Sequence, residues 1–408
     1  MSFRDPHRRH RLQLQPQLRG DIRPGKIGLQ SQSFETLIGH RHADPDQVGP
    51  DREYPVHDVR LRGGKNQHMP GLDGLRALAV VAVVWHHTHP GYASLPISHN
   101  GFLGVDVFFV LSGFLISTLL LSELGSTGSI SLKNFYIRRS LRIFPLYYVV
   151  LALMLAYVLT PYGPTQRSVI LHELPFHASY TSNWVHLESM LAITWSLSTE
   201  EQFYLAWPPL LVWLGVRSIW VLGAFLVVNQ AVNFGFFHGT LAWIGMPYQD
   251  LPILQITFTP IVLGVLVAFG LRLAAFKRYL DRLPSWALLA SCVLAVAVAN
   301  IPGDIRGWPR LAFHLATALV IAQVVTRPAC GVVRALEWRP MAYVGTVSYG
   351  VYLLHKLVLH AVHHGLEAVD VGAPEAVFAV CVLGTVGLAT LSYWFFEAPI
   401  LRLKARFH

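Results

Sequence analysis

Residues 70–87 read PGLDGLRALAVVAVVWHH: a Pro-Gly turn, an acidic first turn, and an apolar run from Ala77 to Trp85 that ends on His86 and His87. In hydrocarbon every backbone N–H and C=O must find its partner inside the segment, so such a run is helical. Nine further apolar stretches follow, giving approximate segments 74–89, 102–122, 143–160, 199–215, 218–237, 254–272, 285–301, 310–326, 341–363 and 374–396. About 20 residues cross a ~30 Å hydrocarbon layer. The first, seventh and eighth segments are short, so they borrow flanking residues or are shielded by neighbours. No strand-type alternation suggests a barrel. The expected fold is all-α, a polytopic membrane bundle of about ten transmembrane helices.

Composition agrees. Of the 408 residues 53% are hydrophobic and only 13% charged, about half the charged share of a soluble domain; mean hydropathy is +0.43. That excludes a disordered chain, a coiled coil and an ordinary cytosolic enzyme. The net charge of +9 lies mainly between apolar segments, where it sets membrane orientation rather than binding nucleic acid. Cys292, Cys330 and Cys381 show no CxxC spacing and read as small core residues.

Residues 1–68 differ in kind. They hold twelve Lys+Arg, eight Asp+Glu and six His, with no core-forming apolar run, a composition that reads as a disordered extension. Met69, at the threshold of the first apolar segment, is a candidate initiator, which makes 69–408 the membrane domain. With Met69 on the cytoplasmic side, inside segments carry fifteen Lys or Arg and outside segments only Arg167, Arg306 and Arg310. This positive-inside bias puts both termini in the cytoplasm. The largest outside segment, 161–198, contains Trp184, Trp195 and several histidines, and is expected to re-enter the membrane or cap a site.

Ionisable residues within membrane helices point to function. Arg76 and His87 are eleven positions apart; at ~100° and 1.5 Å per residue they share a face and stand roughly 16 Å apart along the axis. His86 points about 80° away by the same arithmetic. Asp106, in GFLGVDVFFVLSGF, is expected near the depth of His87, where a carboxylate fixes an imidazole tautomer. Ser112 and Gly113 lie deeper and read as helix-packing positions. Arg138, Arg139 and Arg142, in KNFYIRRSLRIFP, form one cytoplasmic turn suited either to anionic lipid or to phosphate groups. Glu200 and Glu201, in TWSLSTEEQFYLAWP, sit at a helix start that favours carboxylates. Trp195, Phe203 and Tyr204 beside them offer a platform for sugar rings. In SYGVYLLHK, Tyr352 and His355 read as hydrogen-bonded cleft residues. His360, His363, His364 and Glu367 have a spacing compatible with zinc, but interfacial polarity explains them better, and no metal is expected.

Together these stretches resemble the acyltransferase 3 family, integral-membrane enzymes that modify bacterial glycans and some antibiotics. LDGLRALAVVAVVWHH is similar to its first-helix signature, with the family's Arg and His on Arg76 and His87. GVDVFFVLSGFLIS resembles the second-helix signature, YIRRSLRIFP the double-arginine motif on Arg138 and Arg139, and WSLSTEEQFYLAWP the Glu-containing segment, its most regular Glu on Glu200. SYGVYLLH and YWFFEAP, with Glu397 and Pro399, resemble the closing helices. The N-terminal extension is untypical of the family, and the extra esterase-like domain that some members carry at the C-terminus is not expected from this sequence.

The resemblance implies a bacterial plasma-membrane enzyme that transfers an acyl group, commonly acetyl, from cytoplasmic acyl-CoA to a hydroxyl. The acceptor would be a surface glycan, a glycolipid or a glycosylated metabolite such as an antibiotic. His87 is then the general base or an acyl carrier, with Asp106 or Glu200 orienting it and Glu201 beside Glu200. Arg76 stabilises charge or the donor, and Arg138, Arg139 and Arg142 hold CoA phosphates. The competing class is a polytopic transporter or flippase, for which intramembrane charge is equally suited.

Overall fold

The computed structural model describes residues 69–88, 100–160, 167–246, 252–255, 258–302, 305–367 and 374–407. The expectations about residues 1–68 lie outside that set. Helices of eight residues or more are numbered in chain order. The first half comprises α1 (Leu72–Thr88), α2 (Leu103–Thr127), α3 (Leu132–Leu159), α4 (Arg167–Ala178), α5 (Trp195–Leu214) and α6 (Ser218–Asn233). The second comprises α7 (Thr259–Gly270), α8 (Ala274–Arg282), α9 (Ala287–Ala299), α10 (Trp308–Thr326), α11 (Arg339–Thr346), α12 (Ser348–Glu367) and α13 (Pro374–Ser392). No strand occurs among the described residues.

Five helical stretches among the described residues are long and apolar enough to cross a bilayer: α2, α3, Met190–Asn233, α10 and Glu375–Arg402. Counting α7 and α8 as one span, despite the 99° bend between them, gives six. The expected ten is therefore not confirmed among the described residues, and the reasons are local. α1 and α9 are apolar but have only 17 and 13 residues, about 25 and 20 Å of helix. Segments 199–215 and 218–237 fall in a single 44-residue helical stretch, interrupted only by a short turn at Gly215–Arg217. Segment 341–363 is divided at Val347 between α11 and α12, and α12 is diluted by its histidines and Lys356.

The outward faces are apolar. Trp213, Phe236, Leu383 and Phe395 are all more than 70% exposed, as suits a surface that meets lipid. The interior holds α2, whose Phe109, Val110, Leu111 and Phe114 are fully buried. α2 packs most extensively on α7 and also touches α1 and α10. The α2–α7 contact is backbone to backbone. A Cβ on Gly113 would overlap the Ile261 carbonyl oxygen, and one on Gly264 would overlap that of Val110. Small residues that let helix axes close in this way replace the hydrophobic force that lipid removes.

The 161–198 segment folds back on the bundle. Tyr147 and Tyr148 of α3 donate to the carbonyls of His177 (2.8 Å) and Ala178 (3.0 Å) at the end of α4. The 3-10 turn Met190–Thr194 then inserts beside α12, where the Tyr352 hydroxyl donates to the Ile193 carbonyl at 2.8 Å. This contact recesses the start of α5 into the bundle.

Gly264→Val is expected to cost about 1–3 kcal/mol through overpacking against α2. A thermal-unfolding midpoint in detergent, lowered relative to wild type and to a control with open space at the new side chain such as Gly223→Val, checks it.

Candidate functional site

A cavity of about 350 Å³ opens among α1, α2, α3, α5 and α12. Met69, Asp73 and Arg76 line it from α1 and the residues just before it, Ser112 from α2, and Arg139 and Arg142 from α3. Glu200 and Glu201 line it from α5, and Tyr349 and Tyr352 from α12. Arg76 donates to Asp73, one turn earlier, at 2.5 Å. Ser112 donates to Glu200 Oε1 at 2.7 Å and accepts from the Tyr204 hydroxyl at 2.6 Å. The Arg139 guanidinium lies 3.8 Å from the Tyr204 ring centre. Its Nε is buried without a hydrogen-bond partner among the described residues, as is Glu201 Oε1. Arg142 is open to the cavity and makes no hydrogen bond or ion pair among the described residues.

Arg138 turns the other way. It pairs with Glu123 at 3.2 Å and donates to the Phe407 carbonyl at 2.8 Å. It therefore anchors the C-terminal segment to the start of α3 rather than lining the cavity. Lys404, in the turn that this bond holds, has its ammonium pushed down to about 8 by burial and by Arg142, Arg139 and Arg138.

His87 does not line this cavity. Helix α1 is unbroken from Arg76 to His87, so the roughly 16 Å separation holds. His87 Nδ1 lies 2.9 Å from the Val83 carbonyl and 3.2 Å from His355 Nε2. The two imidazole centres are 4.9 Å apart. The cavity-lining Tyr352 ring is 5.8 Å from that of His355. Cavity and His87 are thus joined through Tyr352 and His355.

The partner expected for His87 was a carboxylate, and here the structure differs. Asp106 is fully buried and committed to α10: Arg310 Nε and Nη2 donate to its two oxygens at 2.8 and 3.0 Å, and His314 Nε2 lies at 2.9 Å. Glu200 is equally remote from that role. It bonds to Ser112, six residues and about 9 Å further down α2 than Asp106, and stands among the arginines of the cavity. Its depth follows from the recessed start of α5. There the buried His177 contacts Thr194 at 2.7 Å and Glu173 at 3.4 Å. Desolvation keeps this imidazole below its usual range despite the carboxylate. Ser182 and Ser198 meet at 2.7 Å, and Asn183 and Gln202 complete the network.

Phe203 and Tyr204, expected as a sugar platform, are buried, with Phe203 stacked on Trp207. At the far end of α12 the Tyr157 hydroxyl and His360 Nε2 are 3.3 Å apart. The side chains of His364 and Glu367 lie outside the described residues, and among the described ones no three His, Cys, Asp or Glu converge on a metal position. Sequence reading had counted Arg310 only as a loop charge and had passed over His314. The available signal was an Arg and a His four apart, on one face of an apolar segment.

A family model described as an acyltransferase domain matches residues 69–394. A peptidoglycan O-acetyltransferase of Listeria monocytogenes is 30% identical over 383 residues, covering 82% of this chain and 56% of that protein. A putative peptidoglycan O-acetyltransferase of Bacillus subtilis shows the same identity and coverage. A putative O-acetyltransferase of Staphylococcus aureus is 29% identical, with 82% and 58% covered. The chain thus spans a little over half the length of these relatives. No solved structure matches it significantly.

Asp106→Ala leaves the Arg310 charge and His314 without their shared acceptor, and removing one partner of such a pair costs about 3–5 kcal/mol. The protein should lose thermal stability in detergent by that amount, whereas Arg142→Ala should leave the midpoint close to wild type.

Proposed function

Because the chain belongs to the acyltransferase 3 family, we propose that it is a membrane-bound O-acyltransferase. It moves an acyl group, acetyl by the names of its relatives, from acyl-CoA to a hydroxyl of a cell-wall glycan. The observation that carries this reading is an arginine-lined cavity joined to a histidine pair, within a chain whose relatives are named O-acetyltransferases. The relatives named for a glycan are named for peptidoglycan, which favours that class over lipopolysaccharide or an antibiotic.

The donor side fits the residues present. Arg142 makes no hydrogen bond or ion pair among the described residues, Arg139 carries a buried Nε without a partner among them, and Lys404 stands beside both. Guanidinium forks grip phosphate oxygens in pairs, so this cluster would take the anionic end of acyl-CoA. Apolar walls and the Glu200–Ser112–Tyr204 hydrogen-bond chain would take its neutral arm. The cluster faces the cytoplasm in this reading, supported by the fifteen-to-three excess of basic residues on that side. The bond from Arg138 to Phe407 supports the C-terminal segment's lying at the same end.

On the other side of the pair, His87 removes the proton of the acceptor hydroxyl as its oxygen attacks the thioester carbonyl. The tetrahedral intermediate then expels the thiolate, and His87 returns the proton to sulfur. Free CoA and the O-acyl glycan leave. A general base must reach hydrogen-bond distance of the proton it takes. Arg76, roughly 16 Å away, is too far to touch the same reacting atoms, so its work is on the donor. General-base catalysis contributes about 10²–10⁴-fold.

His87→Ala should therefore lower release of free CoA by at least about a hundredfold in proteoliposomes given acetyl-CoA and peptidoglycan fragments, with membrane insertion intact. Substantial retained release overturns the assignment, and glycan movement without CoA release would indicate a flippase. Lys404 supplies a second check. Its charge is present below about pH 8 and is lost above it. The KM for acetyl-CoA should rise about fivefold between pH 7 and 9, the loss expected for one charge-assisted phosphate contact partly open to water. Lys404→Met should show the high value at both pH values.

A further inference from the structure

Both imidazoles of the histidine pair have one nitrogen tied to a carbonyl of their own helix. His355 Nδ1 is 2.6 Å from the Tyr352 oxygen, and His87 Nδ1 is 2.9 Å from the Val83 oxygen. A carbonyl oxygen only accepts, so each Nδ1 carries the proton and each neutral ring keeps its lone pair on Nε2. Two consequences follow from the 3.2 Å contact. The lone pair of His355 Nε2 faces the Nδ1–H of His87, which is shared between that nitrogen and the Val83 carbonyl. His87 Nε2, which makes no hydrogen bond among the described residues, is left as the basic nitrogen.

We propose that His355 is the positioning residue of the catalytic base, an imidazole filling the place that a carboxylate fills in a Ser-His-Asp arrangement. The inference rests on the reading of His87 as base and goes beyond it by naming what orients that base. When His87 Nε2 takes the hydroxyl proton, its ring becomes an imidazolium. The Nδ1–H then becomes a stronger donor, and the His355 lone pair and Val83 carbonyl share the charge. No proton passes to His355; the one on Nε2 leaves with the sulfur. Tyr352 completes the device. Its carbonyl fixes the His355 tautomer, and its hydroxyl bonds to Ser196 at 2.6 Å and to the Ile193 carbonyl at 2.8 Å. The ring orientation is thereby coupled to the inserted turn and to Ser196 at the start of α5, which lines the donor cavity. His355 is fully buried, so it orients the base and does not touch substrate.

Two substitutions separate this from simple packing. His355→Phe fills the space without an acceptor, whereas His355→Gln can donate its amide N–H to the Tyr352 carbonyl and offer its amide oxygen to His87 Nδ1–H. In the CoA-release assay H355F should lose about a hundredfold in kcat, with the KM for acetyl-CoA within about twofold, and H355Q should retain kcat within about tenfold of wild type. If H355F does not accumulate in membranes, H355M replaces it under the same criterion. The proposal is overturned if the variant lacking the acceptor stays within about threefold of wild type, if H355Q is as impaired as that variant, or if the loss lies in KM alone. A functional His87→Ala protein would remove the base reading itself. An inactive His87→Ala beside an active H355F would remove only the pair.

Discussion

A charged or polar side chain inside an apolar bundle is costly unless a hydrogen bond meets it, and that requirement organises much of this molecule. Asp106 is met by Arg310 and His314, Glu200 by Ser112, Arg76 by Asp73, and His87 by His355. Three of these four pairings join helices far apart in sequence, so the same contacts that satisfy the charges hold α2 to α10, α2 to α5 and α1 to α12. Close packing of α2 on α7 through Gly113 and Gly264 adds the shape in which they form.

The arrangement separates two chemistries along one helix. At one end of α1, Arg76 belongs to a cavity that also presents Arg139 and Arg142. About three turns on, His87 belongs to a histidine pair that the cavity does not contain. The proposed transfer, with an anionic donor on one side of a membrane and an acceptor on the other, would need such a division. Stiffness of α1 sets the distance, and Tyr352, shared by both regions, connects them. Two of the unpaired buried atoms among the described residues, Arg139 Nε and Glu201 Oε1, belong to residues that line the cavity, where a ligand is the natural partner.

Much of this could be read in the sequence because it depends on local helical geometry. The shared face of Arg76 and His87, the arginine turn of α3 and the alternation of basic loops all follow from spacing within a few turns. What could not be read are pairings across 204 and 208 residues, as between Asp106 and its two partners. The depth of Glu200 was also hidden. It depends on a short turn at Met190–Thr194 tucking against α12, which no periodicity announces. The count of about ten spans is not confirmed where apolar runs form 17- and 13-residue helices, or parts of one longer stretch. Phe203 and Tyr204 had the right chemistry for a sugar platform but were claimed by the core.

The tether between Arg138 and the Phe407 carbonyl bears on how the protein is handled. Any affinity handle or reporter fused after the last residue would emerge beside Lys404 and the arginine turn, crowding the port that acyl-CoA would use. A polyhistidine handle would bring further imidazoles to that basic rim, and an acidic epitope would compete there with phosphates.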